Sequence, residues 1–445
     1  MTIHLITFAS TLLKQQSVLS SHEVILNELE KYFTVRIIDP DHIRLLMPND
    51  FAIVFIASGG VERMVISRFE QLPRPTAILA DGMQNSLAAA LEVHSWLRNR
   101  GMQSEILHGN LTRIIKRLLV LHQNFNAANA LRGTRIGVVG TPSPWLIASG
   151  VDYLLAKRRW GVNFVDIPLD LVVERYQKVK EDEVGDYAAH IATQALACRE
   201  STPEQLIKAM RFYQALRLVA QEQHLHALTL SCFKLIDLIG TTGCLALSLL
   251  NDAGITAGCE GDLQTVFTMH IARTLTSQQG FMANVAMIHD ASNEVVLAHC
   301  TVGLKQTEHY ILRDHFETQS GIGIQGLLPT GDVTLLKIGG ESLDEYYLNT
   351  GTLTENTNYI NLCRTQVKVR LDGSTDYFFR RPLGNHHVLL RGNQATQLGL
   401  FLQGFGCRKV YKVRTEGDDM ALNPVGATPQ SKNLYPAQRR PSSLH

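Results

Sequence analysis

Short apolar runs alternate with amphipathic stretches through the first part of the chain. Residues 4–8 and 51–56 are runs of strand length, while the apolar positions of residues 23–32 and 111–131 repeat with the period of a helix. Strands that alternate with helices are typical of a parallel sheet covered by helices. The pattern therefore predicts a flavodoxin-like or Rossmann-like α/β domain over residues 1–132.

The same rhythm begins again at residues 135–139, which form a new apolar run after a glycine-bearing join. We predict a second α/β domain of the same kind over residues 133–279. From about residue 280 the apolar runs become strand-like, as at residues 295–299 and 333–338, and glycine-rich turns separate them. This change predicts a mainly β domain over residues 280–412.

The last part of the chain, residues 413–445, mixes proline, serine, glutamine and arginine without an apolar face. A segment of this composition cannot bury enough apolar surface to fold, so we predict a disordered tail. The full length of 445 residues exceeds what one hydrophobic core usually supports, which agrees with several domains.

Charge and composition restrict the partners and the location that we expect. The 42 lysines and arginines nearly balance the 41 aspartates and glutamates and form no basic block, which argues against nucleic acid and favours a small polar substrate or a protein partner. Residues 244–250, the most apolar late stretch, are too short to span a bilayer, so no membrane insertion is expected. The seven cysteines form no CxxC pair and the first residues lack a signal-peptide pattern, which favours reduced thiols in a cytoplasmic protein.

Two carboxylates flank a glycine where a helix is predicted to begin. Glu260 and Asp262 lie on either side of Gly261, and residues 263–275 continue as the helix. Free N–H groups at a helix start stabilise negative charge, so the position suits a metal-binding or catalytic carboxylate. Ordinary capping explains the same residues equally well, with Asp262 as the N-cap and Glu260 in solvent. The local sequence leaves both interpretations open.

A second candidate acid ends the apolar run that starts at Phe281. This run closes with Asp290, and His299 follows nine residues later. An apolar strand that delivers an acid to its end is a common way for α/β enzymes to build a site, so Asp290 is a candidate ligand. A single histidine such as His299 is more often a core residue than a metal ligand.

Two adjacent histidines, His386 and His387, stand between a turn that contains Asn385 and a predicted strand. Side chains alternate between the two faces of a strand, so only one of the pair can reach a given metal ion. Two carboxylates and one imidazole form a hard site, which suits Mn²⁺ or Mg²⁺ better than structural zinc. Taken alone, the pair would be read as polar turn or edge-strand residues.

These motifs follow the order found in the L-fucose/L-arabinose isomerase superfamily, and the chain resembles its fucose-isomerase-like members over most of residues 1–412. The resemblance lies in the following segments: Cys259-Glu260-Gly261-Asp262, Thr268-Met269, Asp290, His299-Cys300, Cys363-Arg364-Thr365, Gly384-Asn385-His386 and Arg391-Gly392-Asn393. It implies two stacked α/β domains, a β-barrel-like C-terminal domain and assembly into homotrimers or homohexamers.

The resemblance also implies a reaction. A divalent metal, typically Mn²⁺, with Mg²⁺ and Co²⁺ as alternatives, would be held by Glu260, Asp290 and His386, or by His387 in place of His386. Such an ion would bind O1 and O2 of a sugar and stabilise the ene-diolate of an aldose–ketose isomerisation. Glu260 and Asp290 would then act as base and acid, with Glu260 the preferred base. Further expected neighbours or substrate contacts are His299, His315, Arg364 and Asn385.

One departure from the family leaves the substrate open. The aromatic, asparagine-rich segment expected around the aspartate is replaced by Met287-Ile288-His289-Asp290-Ala291-Ser292-Asn293, which changes the pocket wall. The sequence does not choose between a free, phosphorylated or sulfonated sugar. A non-catalytic sugar-binding or regulatory protein, and an epimerase or lyase with the same enediolate chemistry, are the alternative functions.

Overall fold

The first five strands form a parallel sheet with helices on both faces. In the computed structural model, which describes residues 1–10 and 20–410, these elements are β1 (Thr2–Phe8), α1 (Glu23–Glu30), β2 (Thr34–Ile38), β3 (Ala52–Ile56), α2 (Glu62–Ile66), β4 (Thr76–Leu79), α3 (Ser86–Arg98), β5 (Ser104–Leu107) and α4 (Leu111–Leu131). The strand order is β2-β1-β3-β4-β5. Every residue of β3 is buried, as expected for a parallel strand covered on both faces.

Alternate residues of β3 explain how the two faces are covered. Ile53 and Phe55 pack with helices α1 and α4 in one apolar cluster, whereas Val54 and Ile56 pack with α2 and α3 in another. The period of two in the strand therefore sorts the helices onto opposite sides of the sheet.

A second parallel sheet follows, with its own layer of helices. Its elements are β6 (Arg135–Val139), α5 (Tyr153–Trp160), β7 (Asn163–Ile167), α6 (Leu169–Lys178), α7 (Gly185–Gln194), α8 (Pro203–Glu222), β9 (Ala227–Leu230), α9 (Lys234–Ile239), α10 (Cys244–Asp252), β10 (Thr256–Cys259) and α11 (Leu263–Thr276). The strand order is β10-β9-β6-β7, so the carboxyl ends of β10, β9 and β6 lie side by side at one edge. Parallel sheets commonly present ligand-binding loops at this edge.

The C-terminal part forms a closed antiparallel barrel. Its elements are β11 (Phe281–His289), β12 (Glu294–His299), β15 (Gly331–Gly339), β16 (Glu345–Asn356), β17 (Thr365–Leu371), α12 (Asp376–Arg380), β18 (His386–Arg391), α13 (Ala395–Gly404) and β19 (Arg408–Lys409). Six strands follow the order β15-β18-β11-β12-β17-β16, and β16 pairs with β15 to close the ring. The short β19 adds to β16 in parallel.

A small third sheet connects the second α/β part to the barrel part. It contains β8 (Ala197–Cys198), β13 (His309–Arg313) and β14 (Gly323–Leu327). Strand β8 pairs in parallel with β13, although more than 100 residues separate them in the chain. The same two parts of the chain also share one large apolar core, which contains Trp160, Phe267 and Val388.

The predicted fold class is confirmed: two parallel α/β sheets precede a mainly β, barrel-forming C-terminal part. The domain boundaries stay a prediction, and the predicted tail at 413–445 lies outside the described residues. Among residues 1–10 and 20–410, the helices are too short or too polar to cross a membrane.

Candidate metal centre

A turn at the carboxyl edge of the second sheet sets the position of Glu260. Glu260 and Gly261 both have positive φ angles, of 60° and 71°. This conformation is uncommon for a residue with a side chain, and at Glu260 it stores strain of the kind found at functional sites. Two backbone hydrogen bonds hold the turn: Ser143 N–H donates to the Glu260 carbonyl at 2.9 Å, and Gly261 N–H donates to the Leu230 carbonyl at 3.1 Å.

Three side chains from different elements converge at this turn. Glu260 follows β10, His299 ends β12 and His386 begins β18. Glu260 Oε1 lies 3.5 Å from His386 Nε2 and 3.8 Å from His299 Nε2. All three potential ligand atoms are within 4.8 Å of one another, and no other such group of three occurs in the described part of the chain. We call these three residues the Glu260 cluster.

The Nε2 atom of each imidazole in the cluster lacks a hydrogen-bond partner. His299 Nε2 and His386 Nε2 are buried, and neither makes a hydrogen bond. Buried polar atoms without partners are rare, so each calls for a physical explanation. Around an ion with bonds of about 2.1 Å, neighbouring ligand atoms lie about 3.0–3.5 Å apart. The cluster is therefore a candidate metal site that a small contraction would complete.

Asp262 orients His386 from the side opposite to Glu260. Its fully buried carboxylate lies 3.0 Å from His386 Nδ1, and it caps α11 by accepting hydrogen bonds from Thr265 N–H at 2.7 Å and from the Thr265 hydroxyl at 2.8 Å. An Nδ1–H that donates to a carboxylate leaves the Nε2 lone pair free for a metal, as in carboxylate–histidine–metal arrangements. Asp262 thus combines the predicted capping of α11 with a second role, which is to orient the His386 ring.

A buried lysine lies beside the Asp262 carboxylate. Lys337 is fully buried on β15; its Nζ donates to the Thr265 hydroxyl at 2.6 Å and lies 3.6 Å from Asp262 Oδ2. Burial lowers the pKa of Lys337, and Asp262 offsets part of that shift. Burial raises the pKa of Asp262, but Lys337 and His386 outweigh it and hold that pKa below its ordinary value. Asp262 is therefore an ionised acceptor.

The same charges determine the protonation of the cluster without an ion. Burial lowers the pKa of His386, but the carboxylates of Asp262 and Glu260 on either side raise it to about 9. Burial raises the pKa of Glu260, while His299 and His386 together bring it well below the ordinary value. Trp145 Nε1–H donates to Glu260 Oε2 at 2.7 Å, so one carboxylate oxygen is held and the other faces the imidazoles.

Two members of the cluster, Glu260 and His299, line a cavity of about 600 Å³. Asn284 and Asn385 lie beside the cluster in the wall, and Asn385 Nδ2 donates to the side-chain oxygen Oδ1 of Asn284 at 3.0 Å. Phe233 contributes an apolar surface, and the exposed side chains of Trp145 and Glu317 also line the cavity. The cavity has room for a small molecule that brings oxygen atoms to the Glu260 cluster.

His387 faces away from this cavity. It is fully buried, its Nε2 lies 3.0 Å from the Tyr377 hydroxyl, and its ring packs against Tyr347 and Phe378. Burial lowers its pKa to about 3. The structure thus places His386, and not His387, beside Glu260.

Asp290 does not join the cluster, which corrects the role that the sequence predicted for it. It is exposed in the short helical turn Asp290–Ser292 at the far end of β11. The residue of β11 that pairs with His386 is Asn284, six positions earlier, or roughly 20 Å along an extended strand. His299, which the sequence offered only as a neighbour, takes the third position in the cluster.

The remaining predicted neighbours divide into two groups. Asn385 and His315 line the cavity, and His315 Nδ1 lies 3.2 Å from the Thr318 hydroxyl. Arg364 instead forms an ion pair with Asp314 and donates to its carbonyl oxygen at 3.0 Å. It is not among the residues that line this cavity.

Sequence reasoning missed Trp145, Asn284 and Lys337. The one available signal was Lys337, because a lysine within the apolar run of β15 must be buried and therefore needs a charged partner. Trp145 lies in an irregular loop, and its contact with Glu260 spans 115 positions of the chain, which no local pattern reveals.

No family model matches the chain, and no curated protein matches it. Membership of the superfamily that the sequence resembles therefore stays a prediction, and any function must be argued from the residues of the site.

Proposed function

We propose that the chain is a metal-dependent aldose–ketose isomerase that acts on a free or modified sugar through an ene-diol intermediate. The observation that carries the proposal is the convergence of Glu260, His299 and His386, with two buried nitrogens that lack any partner. The resemblance of the sequence motifs to sugar isomerases supports the choice of reaction.

The donor set favours a transition metal over Mg²⁺. The cluster offers one carboxylate and two imidazoles, whereas the sequence predicted two carboxylates and one imidazole. Imidazole suits transition metals, and Mg²⁺ prefers oxygen ligands. Mn²⁺ accepts both kinds of donor and remains the proposed ion.

When bound, the ion would supply Lewis-acid stabilisation of the charge that develops on the sugar oxygens. Glu260 is the proposed base, because it is the one carboxylate of the cluster and lies in the cavity wall, where Trp145 fixes one of its oxygens. A single carboxylate can take a proton from one carbon and return it to the next, so the chemistry does not require Asp290. The amides of Asn284 and Asn385 would orient the hydroxyl groups of the sugar.

A cytoplasmic location and a trimeric or hexameric assembly belong to the same proposal. All seven cysteines are free thiols, which supports a reducing compartment. The assembly is supported by the sequence resemblance.

Deuterium exchange tests the reaction directly. The Mn²⁺-loaded protein is incubated with a panel of aldoses in D₂O, and we expect deuterium at C2 of the aldose that is a substrate. Glu260→Gln should abolish this incorporation, whereas Glu308→Gln, which changes an exposed glutamate away from the cavity, should retain it. Full activity of Glu260→Gln, or no incorporation across a broad panel, would overturn the proposal. An epimer or a cleaved product in place of the ketose would reassign the reaction.

A further inference from the structure

Thiol groups line much of the wall beside the Glu260 cluster. Five of the seven cysteines line the same cavity, namely Cys232, Cys244, Cys259, Cys300 and Cys363. The proposed isomerisation uses none of them. The neighbouring thiols of Cys244 and Cys363 lower the pKa of Cys300, so these three sulfurs lie close together.

The pair with the best defined geometry is Cys232 and Cys259. The Cys259 S–H donates to Cys232 Sγ across 3.3 Å. Cys259 is the last residue of β10 and pairs with Leu230 at the end of β9, and Cys232 follows two residues later. A disulfide requires about 2.05 Å between the sulfurs, so the two must approach by about 1.3 Å. Two thiols on neighbouring strand ends can close this gap by rotating their side chains together with a small shift of the backbone at Cys259.

Both cysteines belong to the cavity wall, although Cys232 is only 7% exposed and Cys259 only 3% exposed. The same cavity of about 600 Å³ is lined by the exposed side chains of Trp145 and Glu317. Hydrogen peroxide, with two heavy atoms, is small enough to enter such a space.

We propose that Cys232 and Cys259 form an oxidation site, at which hydrogen peroxide converts the two thiols into a disulfide. The sulfur of Cys232, which accepts the hydrogen bond from Cys259, attacks one oxygen of peroxide. The O–O bond breaks, and a sulfenic acid and one water form. The sulfur of Cys259 then attacks the sulfenic sulfur, the S–O bond breaks and a second water leaves. Two thiols are oxidised by two electrons while one peroxide is reduced to two waters.

This disulfide would act on the neighbouring metal site, a step that rests on the function proposed above. Cys259 directly precedes Glu260, whose positive φ places its carboxylate in the cluster. Movement of Cys259 toward Cys232 displaces the backbone of the turn that holds Glu260. Displacement of a ligand by a fraction of an ångström weakens metal coordination, so oxidation lowers the affinity for Mn²⁺.

Disulfide mapping of the full-length protein tests the oxidation site. The metal-free protein is treated with equimolar hydrogen peroxide, its remaining thiols are blocked with iodoacetamide, and the digest is analysed by mass spectrometry without reductant. We expect a peptide pair that joins Cys232 to Cys259 and that dithiothreitol separates. Cys232→Ser should abolish the link, and Cys198→Ser, which changes an exposed thiol outside the cavity, should preserve it. Full alkylation of both thiols in the wild-type protein, or a link to another cysteine instead, would overturn the proposal.

A Mn²⁺ titration of the reduced and the oxidised protein tests the effect on the metal site. We expect oxidation to weaken binding by about tenfold or more, and dithiothreitol to restore it. A link that forms without any change in affinity would refute the coupling. If the reduced protein binds no Mn²⁺, the proposed function fails. The oxidation site is tested independently by mapping the disulfide between Cys232 and Cys259.

Discussion

Glu260 adopts a left-handed backbone conformation that costs a residue with a side chain about 1–2 kcal/mol. Nothing in the helix that follows requires this conformation, because Asp262 already provides the cap. The strained turn directs the Glu260 carboxylate toward His299 and His386 instead of into solvent. Gly261, the next residue, makes the turn possible.

Substitution of Gly261 by alanine should damage both stability and the metal site. The added Cβ would lie 2.6 Å from Pro142 Cα, in addition to the cost of the positive φ. Gly133→Ala is the matched control, because Gly133 has a similar φ of 79° and open space around the new Cβ. In chemical denaturation, the free energy of unfolding should fall by about 1 kcal/mol in the control and by clearly more in Gly261→Ala. Equal losses would mean that Pro142 can move and that the turn is not fixed.

Metal affinity should increase with pH because of His386. Without an ion, its pKa of about 9 means that the ring is protonated at neutral pH, and an ion must displace the proton on Nε2. Raising the pH toward that value removes the proton in advance, so binding should strengthen by about tenfold per pH unit. Titration with Mn²⁺ followed by electron paramagnetic resonance, between about pH 6.5 and 8.5, measures this slope. A flat profile would show that binding displaces no proton from His386.

At the scale of elements, strand direction explains which site residues the sequence could identify. Glu260 lies between the carboxyl end of a parallel strand and the start of a helix, and the sequence identified it from the helix start. The rule for strand ends in α/β sheets, which the sequence applied to Asp290, failed because β11 belongs to an antiparallel barrel and runs away from the site. Strand β12 runs back, so its last residue, His299, reaches the cluster. Only the pairing of the strands, which the sequence does not show, distinguishes these two cases.

The packing of β15 against α11 depends on the buried charge of Lys337. Replacing this lysine by methionine keeps most of the side-chain volume but leaves Asp262 without its cationic partner on β15. Removing one member of a buried ion pair typically costs roughly 3–5 kcal/mol. Lys368→Met, which breaks an exposed pair with Glu355 on the neighbouring β16, should cost less than about 1 kcal/mol. Chemical denaturation gives the free energy of unfolding of both variants. Similar losses in Lys337→Met and Lys368→Met would contradict the proposed role of Lys337.

At the scale of the whole molecule, the sequence predicted the order of the sheets but not how the parts join. Hydrophobic periodicity is local, so it was sufficient for the parallel strands and for the change to a mainly β region. Closure of the barrel by β15 and β16, and the pairing of β8 with β13, depend on contacts between distant residues. The pairing of β11 with both β12 and β18 places one histidine from each of these two strands beside the carboxylate that follows the second parallel sheet.

The donor set of this site is the central claim, and the amount of Mn²⁺ bound at equilibrium tests it most directly. After dialysis against Mn²⁺, metal analysis should find about one ion per chain in the wild-type protein and in Asp290→Asn. Glu317→Gln, which removes a carboxylate from the cavity wall but not from the cluster, should also retain the ion. His299→Ala and His386→Ala should each lose most of the bound metal. Retention of the ion by His299→Ala, together with its loss from Asp290→Asn, would contradict the site described here and restore the donor set that the sequence predicted.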